Sequence, residues 1–259
     1  MYQLLIVFLA SLGATLLSVM SGGGASIITV PLYIWAGVSL PVSIAANKVG
    51  AIFWTPIPAY NYLKDKKIDW AFLCLFAGIG LIGAYIGVQL VVLIDTEILK
   101  PVIGLFIVTL VLYMHTHRDI GLTSSARGTT AHRVLFYPFA LVMGLYESIL
   151  GSGNGIIFTS VTCKTRGYDF ITALGYYFGI AFFWGSFTAL LYAHKGYFDL
   201  KVMAAAVLGS VIGGFSGSKI ARYKGNSFTK KVFIVVGLLL GIRLIFDGAA
   251  HFLLAWGAI

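Results

Sequence analysis

Apolar residues occupy most of the chain in blocks, at approximately 2–20, 25–37, 42–63, 69–93 and 99–114, and then at 134–149, 155–163, 168–193, 199–221 and 231–250. A helix needs ~20 residues to cross a hydrocarbon core of about 30 Å, and most of these blocks meet that length. The second and seventh do not, because helices of their size reach only ~15–20 Å at 1.5 Å per residue. Each short block follows a glycine-rich interruption, Ser21-Gly22-Gly23-Gly24 in one case and Gly151-Ser152-Gly153-Asn154-Gly155 in the other. Glycine costs about 1 kcal/mol against alanine in a helix interior. The pattern therefore predicts two broken helices, with new helix N-termini at about Ala25 and Ile156.

Composition turns this pattern into a fold class. The chain is 59% hydrophobic and only 10% charged, with a mean hydropathy of +0.94, whereas a soluble domain carries about 25% charged residues. The expectation is an all-α polytopic transmembrane helical bundle with the lipid bilayer as solvent. The opening MYQLLIVFLASLGATLLSVM lacks a basic leader and runs too long for a signal core, so it reads as the first span. Cys74 and Cys163 both sit in apolar stretches, without metal-ligand spacing or a disulfide framework.

The two halves are related at a shift of 130 residues. Gly23 then meets Gly153, Ile27 meets Ile157, Thr29 meets Thr159 and Gly37 meets Gly167. Phe53-Trp54 meets Phe183-Trp184, Tyr62 meets Tyr192, Asp69 meets Asp199 and Gly87 meets Gly217. Matched tryptophan and aspartate at one constant offset point to an internal duplication: residues 1–114 as a first transmembrane repeat, 115–133 as a cytoplasmic linker and 134–259 as a second repeat. Lysine and arginine collect at 64–67, 115–133, 164–166 and 222–231. Five crossings per repeat, the short block included, place all four basic loops on one side, as the positive-inside rule favours. An odd number of crossings makes the repeats inverted and puts both termini outside. The formal charge of +9 is then a product of topology, and no nucleic-acid partner is expected.

Inverted repeats interrupted at matching places point to a transporter's substrate site. Backbone N–H groups freed at membrane depth need an acceptor, and irregular backbone is tolerated there only within protein or beside water. A small anion supplies that acceptor, and helix N-termini add partial positive charge. Close helix packing through small residues is the alternative use of the same glycines. Lys48 lies inside the block PVSIAANKVGAIFWTPIPAY, where a lysine is expensive and marks a functional site by default; snorkelling to the interface is the competing reading. Asn47 stands beside it as a donor. Glu147, just ahead of the second interruption, is a candidate for proton coupling or for a structural carboxylate.

Other polar residues read more simply. Arg243 and Asp247 are spaced to pair on one helix face, with Arg243 facing the translocation path as the alternative, and Asp69 and Asp199 are spaced to cap helix N-termini. Asn61 and Gln89 suit interhelical hydrogen bonding. Pro56 and Pro58 predict a bend in the third block. Tyr60, Tyr62, Trp70 and Tyr192 are expected in the interfacial aromatic belts. The histidines, His115, His117, His132, His194 and His251, show no zinc-like cluster, and no cofactor or Walker-type nucleotide motif appears.

At these same residues the chain resembles a family. SGGGASIITVPLYIWAGVSLPVSIAANKVGAIF is similar to the first signature of the TauE/SafE (sulfite exporter) membrane permeases, and GLYESILGSGNGIIF to the second. The likeness extends to GIRLIFDG at 241–248. One departure is that TALGYYFGI, at 172–180, has no lysine to match that of AANKVG. The resemblance implies a prokaryotic cytoplasmic (inner) membrane protein, often an exporter, that carries small sulfur-containing anions such as sulfite or organosulfonates.

Together these features predict a secondary transporter working by alternating access, not an enzyme. Its substrate would lie between Gly22, Gly23, Gly24 and Ala25 from the first half and Ser152, Gly153, Asn154 and Gly155 from the second, with Asn47 and Lys48 supplying a donor and charge. Glu147 would couple transport to protons. An anion channel, a carrier of small carboxylates, and a membrane enzyme or assembly subunit are the other classes these features admit.

Overall fold

The computed structural model describes residues 2–90, 96–117, 119–124, 136–149, 151, 153–194 and 196–256. Among them all regular structure is helical. In chain order the helices are α1 (Tyr2–Ser21), α2 (Ala25–Trp35), α3 (Leu40–Trp54), α4 (Pro56–Leu63), α5 (Trp70–Leu90), α6 (Thr96–Thr116), α7 (Phe136–Ile149), α8 (Asn154–Thr165), α9 (Phe170–His194) and α10 (Leu200–Trp256). Helix α10 comprises two arms, 200–224 and 226–256, that turn at Gly225, whose φ of 77° and ψ of −176° are non-helical. Three helical stretches among the described residues, Tyr2–Ser21, Trp70–Gly87 and Phe170–Leu191, are long and apolar enough to cross a bilayer. The protein is a membrane protein.

The third apolar block divides where its prolines stand. Helix α3 ends at Trp54 and α4 begins at Pro56. Proline has no N–H and its ring crowds the carbonyl four residues back, so an uninterrupted ladder cannot pass through it.

The short helices fold back beside their predecessors. The Ser11 hydroxyl on α1 meets the Tyr33 hydroxyl on α2 at 2.6 Å. On the second hairpin Asn154 lies against the Met143 carbonyl, 3.3 Å away, and Phe158 against Phe136. The tips of the two hairpins touch: a methyl group built on Gly155 would fall 1.7 Å from the Gly22 carbonyl oxygen.

Glycine faces elsewhere allow helices to pack at backbone distance, the usual means of association where lipid removes the hydrophobic drive. Gly209, Gly213 and Gly217 of α10 lie against Phe8, Leu12 and Leu16 of α1. Gly83 and Gly87 of α5 lie against Leu141 and Leu145 of α7, and Gly80 and Gly144 approach one another across the same seam. Gly104 of α6 and Gly241 of α10 form a third such contact. The Trp184 indole, fully buried, lies over Gly80 and donates to the Ala77 carbonyl at 3.0 Å.

The basic loops meet at one end of the bundle. Lys66 Nζ pairs with Asp169 Oδ2 at 3.3 Å, Arg166 Nη2 with Asp69 Oδ2 at 2.8 Å, and Arg222 with Asp65. Lys230 donates to the His117 and Ile120 carbonyls at 3.0 and 2.8 Å, and Asn226 to the Leu122 carbonyl at 3.1 Å. Burial acts to raise the Asp169 pKa, but donors from Ser124 and Thr172 and the Lys66 charge outweigh it and hold the carboxyl below its ordinary 3.8. A depressed carboxylate stabilises the fold above that value, and the contribution is lost only as pH falls through the lower folded value. Arg118, Arg127, His132 and Arg133 lie outside the described residues.

Overpacking a close helix seam costs about 1–3 kcal/mol. Gly83→Ala, whose methyl would sit 2.0 Å from the Leu141 carbonyl oxygen, is expected to lower the melting temperature in detergent. Gly13→Ala and Gly78→Ala, with nothing within 4 Å of the new methyl, should leave it unchanged or raise it.

Candidate functional site

A cavity of about 430 Å³ begins at the first hairpin tip. Gly23, Gly24 and Ala25 contribute to its wall, with Asn47 and Lys48 of α3, Glu147 and Gly151 at the end of α7, and Tyr177 and Phe178 of α9. Lys100 of α6 and Arg243 and Asp247 of α10 line it further out.

The first interruption shows why three glycines stand in a row. Gly22, Gly23 and Gly24 have φ of 82°, 125° and 98°, a run of left-handed backbone that only glycine adopts without strain. The Gly22 and Gly23 amides both donate to the Ser18 carbonyl, at 2.9 and 3.1 Å, which closes α1. Gly24 is the N-cap of α2 and brings no side-chain cap. The first amides of any helix lack an intrahelical acceptor, and here those of Gly24 and Ala25 belong to cavity-lining residues. They carry the positive end of the α2 dipole.

The second interruption is built differently. Gly153, at φ 81°, is the N-cap, so α8 starts at Asn154, two residues before the Ile156 expected from sequence. The left-handed glycine sets the start, and Asn154 occupies the first helical position. Gly153 packs on Ile107 and Leu240, while Gly155 is enclosed between Gly22 and the Tyr177 ring. Asn154 is fully buried. These three residues, like Gly22, stand behind the cavity wall rather than on it. Gly151, at φ 65°, reaches the wall instead: a methyl there would lie 3.3 Å from Glu147 Oε1 and 3.4 Å from Lys48 Nζ. Ser152 lies outside the described residues.

Lys48 and Glu147 form an ion pair, Nζ to Oε1 at 3.1 Å, with 17% and 12% of their side chains exposed. The second carboxylate oxygen accepts from Asn154 Nδ2 at 2.8 Å, and the same amide nitrogen reaches the Met143 carbonyl. Asn47, one residue before Lys48, donates to Thr29 Oγ1 at 2.6 Å, and Thr29 donates to the Ala25 carbonyl at 3.0 Å. Adjacent residues of α3 thus hold one hairpin each. Arg243 and Asp247 pair at 3.5 Å across one turn, half exposed on the cavity wall.

Asp69 caps α5 through the Phe72 amide at 3.0 Å, and Asp199 caps α10 through Lys201 and Val202 at 3.0 and 3.1 Å. Asn61 donates to Ser218 across helices at 2.8 Å, whereas Gln89 is exposed. Tyr62 departs from the expected interfacial belt: it is buried, with its hydroxyl on the Val19 carbonyl at 3.0 Å, because α4 packs inside the bundle. Tyr60 and Trp70 are exposed. Cys74 and Cys163 are free thiols, and the described residues contain no group of three or more side chains suited to a metal ion. Sequence reasoning missed Ser18, Lys100, Gly151, Tyr177 and Phe178 as cavity-lining residues. For Tyr177 and Phe178 the signal was available, since a shift of 130 carries Asn47 and Lys48 onto them.

The family model described as Sulfite exporter TauE/SafE matches residues 7–244. A probable membrane transporter protein, ORF9, of Sinorhizobium sp is 25% identical, over 98% of this chain and 97% of the relative. A probable membrane transporter protein of Haemophilus influenzae is 21% identical over 96% and 97%, and the probable membrane transporter protein YfcA of Escherichia coli K12 is 21% identical over 96% and 91%. No solved structure matches the chain.

Removing one member of a buried ion pair strands the other and costs about 3–5 kcal/mol, while replacing both by apolar residues is often neutral. Lys48→Met and Glu147→Leu are each expected to lower stability by about 3 kcal/mol, with the double variant recovering most of the loss. Thermal unfolding of the four proteins in detergent measures that cycle.

Proposed function

The chain belongs to the sulfite exporter TauE/SafE family, and on that premise we propose that this membrane transporter is a secondary carrier of small sulfur-containing anions, sulfite or organosulfonates, working chiefly as an exporter. The observation that carries the reading is the convergence of the Lys48 ammonium and the amide end of α2 on one cavity beside the touching hairpin tips. Donors fixed in place, with partial and full positive charge, favour an oxyanion at low cost in reorganisation.

Inverted repeats with alternating access are the architecture this reading requires. The pattern of close contacts supports it, since the first helix of each half packs on the fourth helix of the other: α1 on the first arm of α10, and α7 on α5. The fifth helices meet each other in matched register, Gly104 against Ile245 and Gly241 against Val108. The gathering of basic loops supports a cytoplasmic location for that end and extracytoplasmic termini in a prokaryotic inner membrane.

In this mechanism the incoming anion competes with Glu147 for Lys48. Glu147 faces Lys48 from α3 and Asn154 from α8, with Lys100, Arg243 and Asp247 farther along the wall. A carboxylate deprived of its cation is relieved by taking a proton, which links anion movement to the proton gradient. In this reading Asn154 of the second interruption supports the carboxylate through its side-chain amide.

Purified protein is expected to be stabilised against heat by sulfite or a sulfonate in a panel that also holds sulfate, thiosulfate, taurine and simple carboxylates. Binding of carboxylates alone would reassign the substrate. In proteoliposomes, Lys48→Ala should cut saturable flux at least tenfold, and Glu147→Gln should leave flux that no longer responds to a proton gradient. Flux that never saturates would make the protein an anion channel.

A further inference from the structure

The two ends of the molecule are sealed unequally. At the basic end, residues of the first half pair with residues of the second: Lys66 with Asp169 and Asp69 with Arg166. The Asp69 amide also donates to the Tyr176 hydroxyl at 2.6 Å. Arg166, with its side chain 8% exposed, stacks on Phe72 with its guanidinium carbon 3.7 Å from the ring centroid, a desolvated cation–π contact. Behind it Phe72, Phe76, Phe136 and Phe158 form one aromatic plug.

The shift of 130 residues identifies the matching positions at the opposite end. Lys66 and Asp69 go to Gly196 and Asp199, and Arg166 and Asp169 go to Ala36 and Ser39. Neither ion pair can form there. Phe72, Phe76 and Tyr176 go to Val202, Ala206 and Ala46, smaller residues within a separate buried cluster. The cavity follows this asymmetry. Its outer wall is made by Lys100, near the start of α6, and by Arg243 and Asp247, far along the second arm of α10. That arm leaves the basic end at Asn226 and the α6 helix arrives there at His117, so these cavity residues lie toward the other end.

From this we infer that the ion pairs Lys66–Asp169 and Asp69–Arg166, with the aromatic plug they enclose, form a gate that holds the basic end shut, and that each transport cycle must break them to expose the cavity on that side. The inference rests on the carrier reading given above. It makes the state described here the favoured one at rest, because the residues at the matching positions, Gly196 with Ser39 and Asp199 with Ala36, form no such pairs. Substrate or proton binding at Lys48 and Glu147 would supply the bias that opens the gate, since a ligand shifts such an equilibrium only through its unequal affinity for the two states.

The test reads access without any substrate, so it can fail while anion transport stands, and the reverse. In a Cys74→Ser, Cys163→Ala background, Ala51→Cys places a single thiol on the cavity wall. A charged, membrane-impermeant thiol reagent is applied to sealed vesicles of each orientation, with Lys67→Cys reporting which side carries the basic loops. The thiol should react readily from the far side and slowly from the basic side. Combining Lys66→Gln with Asp69→Asn, which keeps a capping oxygen for α5, should raise the basic-side rate at least about threefold and slow the far-side rate. Lys66→Arg should match the parent. Retained far-side labelling shows that each variant is folded. A basic-side rate unchanged by the double neutralisation overturns the gate, as does an equal rise in Lys66→Arg.

Discussion

Everything in this protein depends on two backbones touching where the hairpin tips meet. Gly22 and Gly155 approach so closely that neither position has room for a side chain. The consequence reaches beyond packing. Two hairpins that meet tip to tip cannot both be fully helical, and the amides released by the break must find acceptors or face water. The fold therefore creates its polar site as a by-product of its tightest contact.

Around that contact one helix does the coupling. Helix α3 holds the first hairpin through Asn47 and Thr29 and the second through Lys48 and Glu147. Successive residues on a helix point about 100° apart, so the two grips act on different faces of the same rod. Loss of the Lys48–Glu147 pair would remove this tie to the second hairpin while leaving Asn47 on the first.

Much of this was legible in the sequence for a simple reason. Membrane helices must be long and apolar, so hydropathy alone marks them, and a triplet of glycines has few uses inside such a run. The pairing of Arg243 with Asp247 and the caps at Asp69 and Asp199 were equally readable, because they depend on neighbours in the chain. Contacts between distant residues were not. Nothing local says that Lys48 meets Glu147, 99 residues away, or that Tyr62 turns inward to a carbonyl of α1. The second interruption differs from the first for another reason: its helix begins two residues before the expected Ile156, and Asn154 and Gly155 are buried behind the cavity wall.

The third helices of the two halves differ at the positions that a shift of 130 residues brings together. In the first half the helix divides at Thr55, between Trp54 and Pro56, where the prolines bring no N–H to the ladder. In the second, Ser186 and Thr188 stand where the prolines would be, return their hydroxyls to the carbonyls four residues back, and leave α9 unbroken. One helix thus keeps its hydrogen-bond ladder whole while its counterpart gives up rungs at Pro56 and Pro58, which concentrates any bending of the pair in the proline-bearing segment.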